Sequence, residues 1–229
     1  MTTPSRLLLT LLISLLSMPV VAQRQYSPNL AVGVKGGMTM SRMSFSPNVQ
    51  QKFLNGMLAG FTVRYTEENH FGLIGELNIQ QRGWQEDFEG EPFTYSRTLT
   101  YVQIPMLTHI YFGSDKFRGF FNLGPEFAFM IGNSMSANFD YHNIATVPGF
   151  PTRNRVTEQM TMDISNKFDY GISAGLGIEF IARKKHSFML EGRFYYGLGN
   201  IFPAAKKDYF SASRGMSIEV SAGYMFRIR

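Results

Sequence analysis

The sequence contains no cysteine. That excludes disulfide staples, thiolate metal sites, thiol catalysis and lipid attached through a cysteine. Beyond the N-terminal segment no apolar run reaches 18 residues, so any membrane residence has to come from strands, since only helices and closed barrels satisfy their backbone polar groups in lipid. Charge is sparse, at 17% of residues, and the formal net charge of +5 falls singly along the chain apart from small groups such as Arg183, Lys184 and Lys185. A basic patch interleaved with aromatic residues is missing, and no nucleic-acid partner is expected. The four histidines (His70, His109, His142 and His186) lie far apart without metal-ligand spacing, and neither a GxGxxG nor a GxxxxGK[ST] loop occurs, so no metal site and no cofactor is expected. Gly175-Leu176-Gly177 reads as small residues facing the inside of a curved strand.

What the chain does have is 22 glycines, 21 phenylalanines and 11 tyrosines among 229 residues, a mixture suited to closely packed strands. At the N-terminus, Arg6 precedes an apolar run from Leu7 to Leu16 broken only by Thr10 and Ser14, and Pro19 precedes Val20-Val21-Ala22. This order predicts a secretory signal peptide over 1–22 and a mature domain over 23–229.

Period-2 hydrophobicity runs from residue 30 to the end. Met216, Ile218, Val220, Ala222, Tyr224, Phe226 and Ile228 share one face, and Ser217, Glu219, Ser221, Gly223, Met225 and Arg227 the other. The same reading gives strands at about 30–40, 56–65, 71–80, 98–112, 119–131, 168–180 and 188–198. The connections alternate long (41–55, 82–97, 132–166, 200–213) and short (66–69, 113–117, 182–186). Eight strands with loops sorted this way predict an all-β, antiparallel, up-and-down transmembrane barrel with its termini in the periplasm. Within the 132–166 connection, the stretch from Val156 to Ile164 is expected to extend strands above the membrane, and this exposed connection is the first place to look for a partner.

One strand parity carries Lys35, Arg64, Glu76, Glu126, Glu179, Glu191, Arg193, Glu219 and Arg227. Eight strands enclose a space that side chains fill, so these residues are expected to form a charge network that plugs the lumen, with an ion path as the alternative. Trp84, Tyr95, Tyr101, Tyr26, Tyr65, Phe112, Phe168 and Tyr196 fall near strand ends, where interfacial aromatic belts form. Lys52, Arg82, Arg97, Lys167, Lys206, Lys207 and Arg214 are expected on the opposite rim, either as contacts for lipopolysaccharide phosphates or as ordinary solvated loop charge. Pro105 and Pro125 lie inside strands, where each removes a ladder donor. They should lie near one another across a hairpin with a bulge or loosened pairing.

The segment Tyr101-Val102-Gln103-Ile104-Pro105, continuing through Met106-Leu107 to Tyr111-Phe112, resembles the Tyr-x-x-Ile-Pro-Leu-Leu strand of PorT-family outer-membrane proteins. Asn122-Leu123-Gly124-Pro125 is similar to the next strand of that family, and Gly33-Val34-Lys35-Gly36-Gly37 to its first. The resemblance covers essentially the whole mature chain. It implies an eight-stranded outer-membrane barrel of Bacteroidetes-type bacteria, makes the two prolines a family feature, and suggests a role beside a type IX secretion system. It carries over no catalytic or ligand-binding residue. The ending Phe226-Arg227-Ile228-Arg229 departs from the terminal aromatic of many bacterial barrels and moves that signal to Phe226.

His186-Ser187 is the one adjacent Ser–His pair, at a short turn, without a third group to orient the base. The expectation is a non-enzymatic structural or interaction protein of the outer membrane. Its expected partners are lipid, lipopolysaccharide and proteins of a secretion apparatus. A narrow porin for small solutes and a lipid-modifying barrel enzyme are the alternatives.

Overall fold

A strand whose odd residues are apolar and even residues polar has to place the two sets in different surroundings. Here a closed sheet supplies both. The computed structural model describes residues 29–68, 70–152 and 155–228; the expected signal peptide over 1–22 and Tyr26 lie outside them.

The strands are β1 (Asn29–Ser46), β2 (Gln51–Lys52), β3 (Leu54–Glu68), β4 (Phe71–Glu86), β5 (Tyr95–Gly113), β6 (Phe117–Ala137), β7 (Phe168–Ala182), β8 (His186–Gly197) and β9 (Ala212–Arg227). Each long strand pairs antiparallel with its neighbours in sequence, and β2 adds a two-residue rung to β4. β1 and β9 pair from Ala31↔Arg227 to Ser46↔Ala212, which closes the ring. The result is an up-and-down barrel of eight long strands. Its short turns gather at one end, with the first and last strand ends, and its long loops at the other. Among the described residues no helix is long and apolar enough to cross a membrane.

The outer wall is an apolar belt. Met38 and Leu176, each 69% exposed, stand among outward Val34, Phe61, Leu77, Ile104, Phe129, Ile172 and Val220. Toward the loop end the outward residues turn polar: Gln81 and Gln85 on β4, Ser96, Thr98 and Thr100 on β5. The strands nevertheless run on. β6 has 21 residues, whereas about 9–11 tilted residues span a bilayer, so the barrel wall stands clear of the belt at the loop end. This is where the observed strands exceed the expected ones: β1 runs six residues past 40, to Ser46, and β4 six past 80, to Glu86.

The prolines sit where pairing is loose. Pro105 is opposite Glu126, and the β5–β6 ladder then skips to Thr108↔Leu123. The β4–β5 ladder likewise skips from Asn78↔Gln103 to Gly75↔Met106. The register shift in this hairpin lies higher, between Thr100 and Tyr101. Gly124 lets the two backbones close up beside the prolines, because a Cβ there would collide with the Met106 carbonyl oxygen.

The stretch 156–164 does not extend a strand. It contains a single helical turn, α1 (Glu158–Thr161), preceded by a 3-10 turn at Ile144–Thr146. Val156, Met160, Met162 and Ile164 fold inward instead, packing on the aromatic cluster at the barrel mouth.

Candidate functional site

Inward side chains fill the lumen in storeys. At the turn end Ala31, Tyr111, Phe120, Met189 and Met225 form an apolar floor. Above it Arg64 donates to Glu179 at 2.7 Å, and His109 Nδ1 lies 2.7 Å from Asn122 Oδ1. In the middle, Arg193 grips both oxygens of Glu76 at 2.8 Å and also pairs with Glu191 at 2.9 Å. Lys35 reaches the same Glu76 at 2.6 Å, and Asn122 Nδ2 donates to Glu191 at 2.8 Å. The top storey centres on Arg82, paired with Glu126 and within 3.8 Å and 3.9 Å of Asp169 and Glu219. Its guanidinium lies 3.8 Å over the Tyr195 ring. Ser173 and Gln103 donate to Glu126 at 2.5 Å and 2.9 Å, Gln80 to Glu219 at 2.8 Å and Tyr195 to Asp169 at 2.8 Å.

Of the charges expected in the lumen, eight are buried there and stand within these contacts; Arg227 is half-buried at the turn end and joins none of these ion pairs. The structure adds Arg82 and Asp169, so four cations face six carboxylates. Because a buried charge is costly without partners, two of the cations, Arg82 and Arg193, each serve more than one acid.

Arg82 and Arg97 were expected on the rim and are instead 3% and 1% exposed. Trp84, Tyr95 and Tyr101, expected in an interfacial belt, are 0%, 0% and 2% exposed. The reason is one of parity. Continuing the β4 alternation past Ile79 sends Gln81 and Gln85 outward and Arg82, Trp84 and Glu86 inward, and β5 does the same for Tyr95, Arg97 and Tyr101. Tyr65, Phe112, Phe168 and Tyr196 do face outward.

Over the charged storeys sits an apolar cap. Phe45 meets Trp84 edge-on at 5.3 Å and Phe210 at 5.2 Å, and Phe202 stacks on Phe210 at 5.6 Å. Phe88, Phe93, Phe139 and Phe150 form a second group, with centroids 5.0 Å apart at closest. Met160 is fully buried among them. The 138–167 loop is tied down by Tyr95 Oη donating to the Met160 carbonyl at 2.9 Å and Arg97 donating to that of Met162 at 2.7 Å. Above the belt, Glu86 accepts from Gln159 at 2.6 Å and from Arg155 at 3.3 Å. Arg155 also reaches Gln50 and the Asp87 carbonyl and lies 4.3 Å over the Phe88 ring, so one guanidinium joins three loops. Burial pushes the Glu86 carboxyl up to about 7, despite those two donors.

Outside the wall, just above the belt, a cleft of about 710 Å³ is lined by Phe129, Phe168, Tyr170 and Leu198 on its apolar side, and by Lys167, Asn166 and Asn200 on its polar side. Among the described residues Lys167 makes no ion pair, and no group of three or more His, Asp or Glu side chains is gathered as for a metal ion. His186 Nδ1 lies 2.7 Å from Tyr224 Oη, while Ser187, next on the strand, faces the lumen.

The outer membrane protein beta-barrel domain family matches residues 21–203. The chain belongs to that family. Among solved structures, this outer-membrane barrel is similar to OprG from Pseudomonas aeruginosa, with a TM-score of 0.54 at 10% identity over 89% of this chain and 97% of that one. It is looser in its likeness to Neisserial surface protein A, TM-score 0.44 at 12% identity over 86% and 97%. Ail of Yersinia pestis gives a TM-score of 0.40 at 12% identity over 86% and 98%. At such identities the likeness is one of fold. No curated protein matches the chain in sequence.

Proposed function

We propose that this outer-membrane barrel is a non-conducting, non-enzymatic scaffold that displays its capped loop end at the cell surface, with both termini in the periplasm. One observation carries the reading. Between the apolar floor and the aromatic cap, the lumen holds ten mutually bonded charged side chains, every one of them buried. An ion crossing it would have to break buried pairs that are expensive to separate. Purified barrel in a planar bilayer should therefore give no stable conductance steps; regular steps at the lumen's scale would sink the reading and favour a narrow porin.

The surface left for partners is the rim and the outer wall. Lys167 beside the apolar cleft suits one lipopolysaccharide molecule, its acyl chain on Phe129, Phe168 and Leu198 and its phosphate at the ammonium. Lys52, Lys206, Lys207 and Arg214 remain as rim cations. The PorT resemblance around Tyr101, Ile104, Pro105, Gly124 and Pro125 supports protein partners of a type IX secretion apparatus. Cross-linking in intact outer membranes, followed by co-purification, tests this; recovery of the barrel without any secretion component removes that partner.

A further inference from the structure

The turn end carries a one-sided charge that the lumen network does not absorb. The β7–β8 connection is Arg183-Lys184-Lys185, and both Arg183 and Lys184 are left-handed, with φ of 50° and 60°. Lys185 N–H closes the turn onto the Ala182 carbonyl at 3.3 Å. That φ pattern belongs to type I′ hairpin turns, whose central positions favour Asn and Gly. Two long cations held there are a strained choice that the hairpin itself does not require. The neighbouring β5–β6 turn adds Lys116, whose carbonyl accepts from Ile181 at 2.8 Å, and one exposed acid, Asp115, against the four cations. All four cations are exposed, and among the described residues none makes an ion pair. The turn on the far side of the ring carries Glu67 and Glu68 in sequence instead.

Along this end of the outer wall, two rungs past the Ala182↔His186 pair, runs an aromatic row. Phe117 pairs with Phe180, Phe180 with Phe188, and Phe188 with Tyr224, across four adjacent strands. The three phenylalanines are 51–53% exposed on the outer wall. Aromatic residues in such a row lie at the level of lipid headgroups, and lysine and arginine side chains reach from a strand end into that layer.

We propose that Lys116, Arg183, Lys184 and Lys185 form a binding site for anionic phospholipid headgroups, in the leaflet that surrounds the turn end. Naming that leaflet as the periplasmic one rests on the orientation proposed above; the site itself does not. The test is native mass spectrometry of the full barrel released from nanodiscs containing phosphatidylglycerol or cardiolipin, phosphatidylcholine, or lipid A. The expected result is preferential retention of the anionic phospholipids, falling about fivefold for each cation removed and weakening with salt. Arg183→Asn with Lys184→Gly is the informative variant, because Asn-Gly suits the turn. Its unfolding temperature in phosphatidylcholine should equal or exceed that of the wild type while anionic retention falls. Lys116→Gln with Lys185→Gln gives the same loss without touching the left-handed positions. Equal retention of phosphatidylcholine, preference for lipid A, or undiminished retention by the combined variant would overturn the proposal. Orientation is read separately, by labelling Lys184→Cys in intact cells with an impermeant maleimide. Labelling from outside would overturn the orientation and leave the lipid result standing.

Discussion

Arg82 shows how much one side chain can hold in a sealed lumen. It is the cation nearest Glu126, Asp169 and Glu219 together, and it also covers the Tyr195 ring. Replacing it by methionine keeps most of the volume and strands three buried carboxylates. We expect Arg82→Met to cost about 3–5 kcal/mol, read from urea unfolding of the barrel in lipid vesicles. Lys35 is a contrasting case, since Glu76 keeps its two-point contact with Arg193 when the ammonium is gone. Lys35→Met should cost less, about 1.5–3 kcal/mol for one lost charged hydrogen bond. Equal losses in the two variants would mean that the storeys share charge more widely than their contacts indicate.

At the level of elements, the 138–167 loop is a cap held by few polar ties, and its grip depends on pH through Glu86. The folded carboxyl titrates near 7, above the ordinary 4.5. Between those values the closed cap binds a proton that the open loop does not, so closure is strongest below pH 4.5. It weakens as pH rises to about 7 and is flat above that. Hydrogen exchange at residues 155–162, corrected for intrinsic rates, should therefore speed up from pH 4.5 to 7, and Glu86→Gln should remove the dependence. Arg155→Ala, which frees three loops at once, should expose the 138–167 loop to protease without changing the barrel's resistance to urea.

The cap is also where the sequence was hardest to read. Within the belt, apolar residues at every second position, as in Phe168 to Phe180, leave one choice of face. At 81–86 and 95–101 both faces are polar or mixed, because the outer one meets water and the inner one meets Trp84, Tyr95 and Tyr101. Period 2 fades there while the ladder continues. Extending the parity from Leu77 and Ile79 would have placed Arg82 inside. Nothing local to Val156–Ile164 signals that its apolar residues turn down onto the mouth, since the cluster they join includes Phe45, Trp84, Phe88 and Phe202, which are distant in sequence.

For the whole molecule, a closed ring with a packed interior should resist detergent until heated. The unheated barrel is expected to run at a different position from the heated one on a denaturing gel and to give a strand-rich circular dichroism spectrum in detergent; a helical spectrum would contradict the fold. The lumen storeys also bear on how such a molecule is made. Lys35 on β1 and Arg193 on β8 meet at Glu76 on β4, and Arg64 on β3 meets Glu179 on β7. None of these partners lies on adjacent strands. While the β1–β9 seam is open, every one of these groups needs water in place of its partner, so an unclosed sheet cannot shed its interior water in lipid. Zipping the seam and drying the interior are thus one event, and whatever assembles this barrel has to shelter a wet, half-curled sheet until the rungs from Ala31↔Arg227 to Ser46↔Ala212 are made.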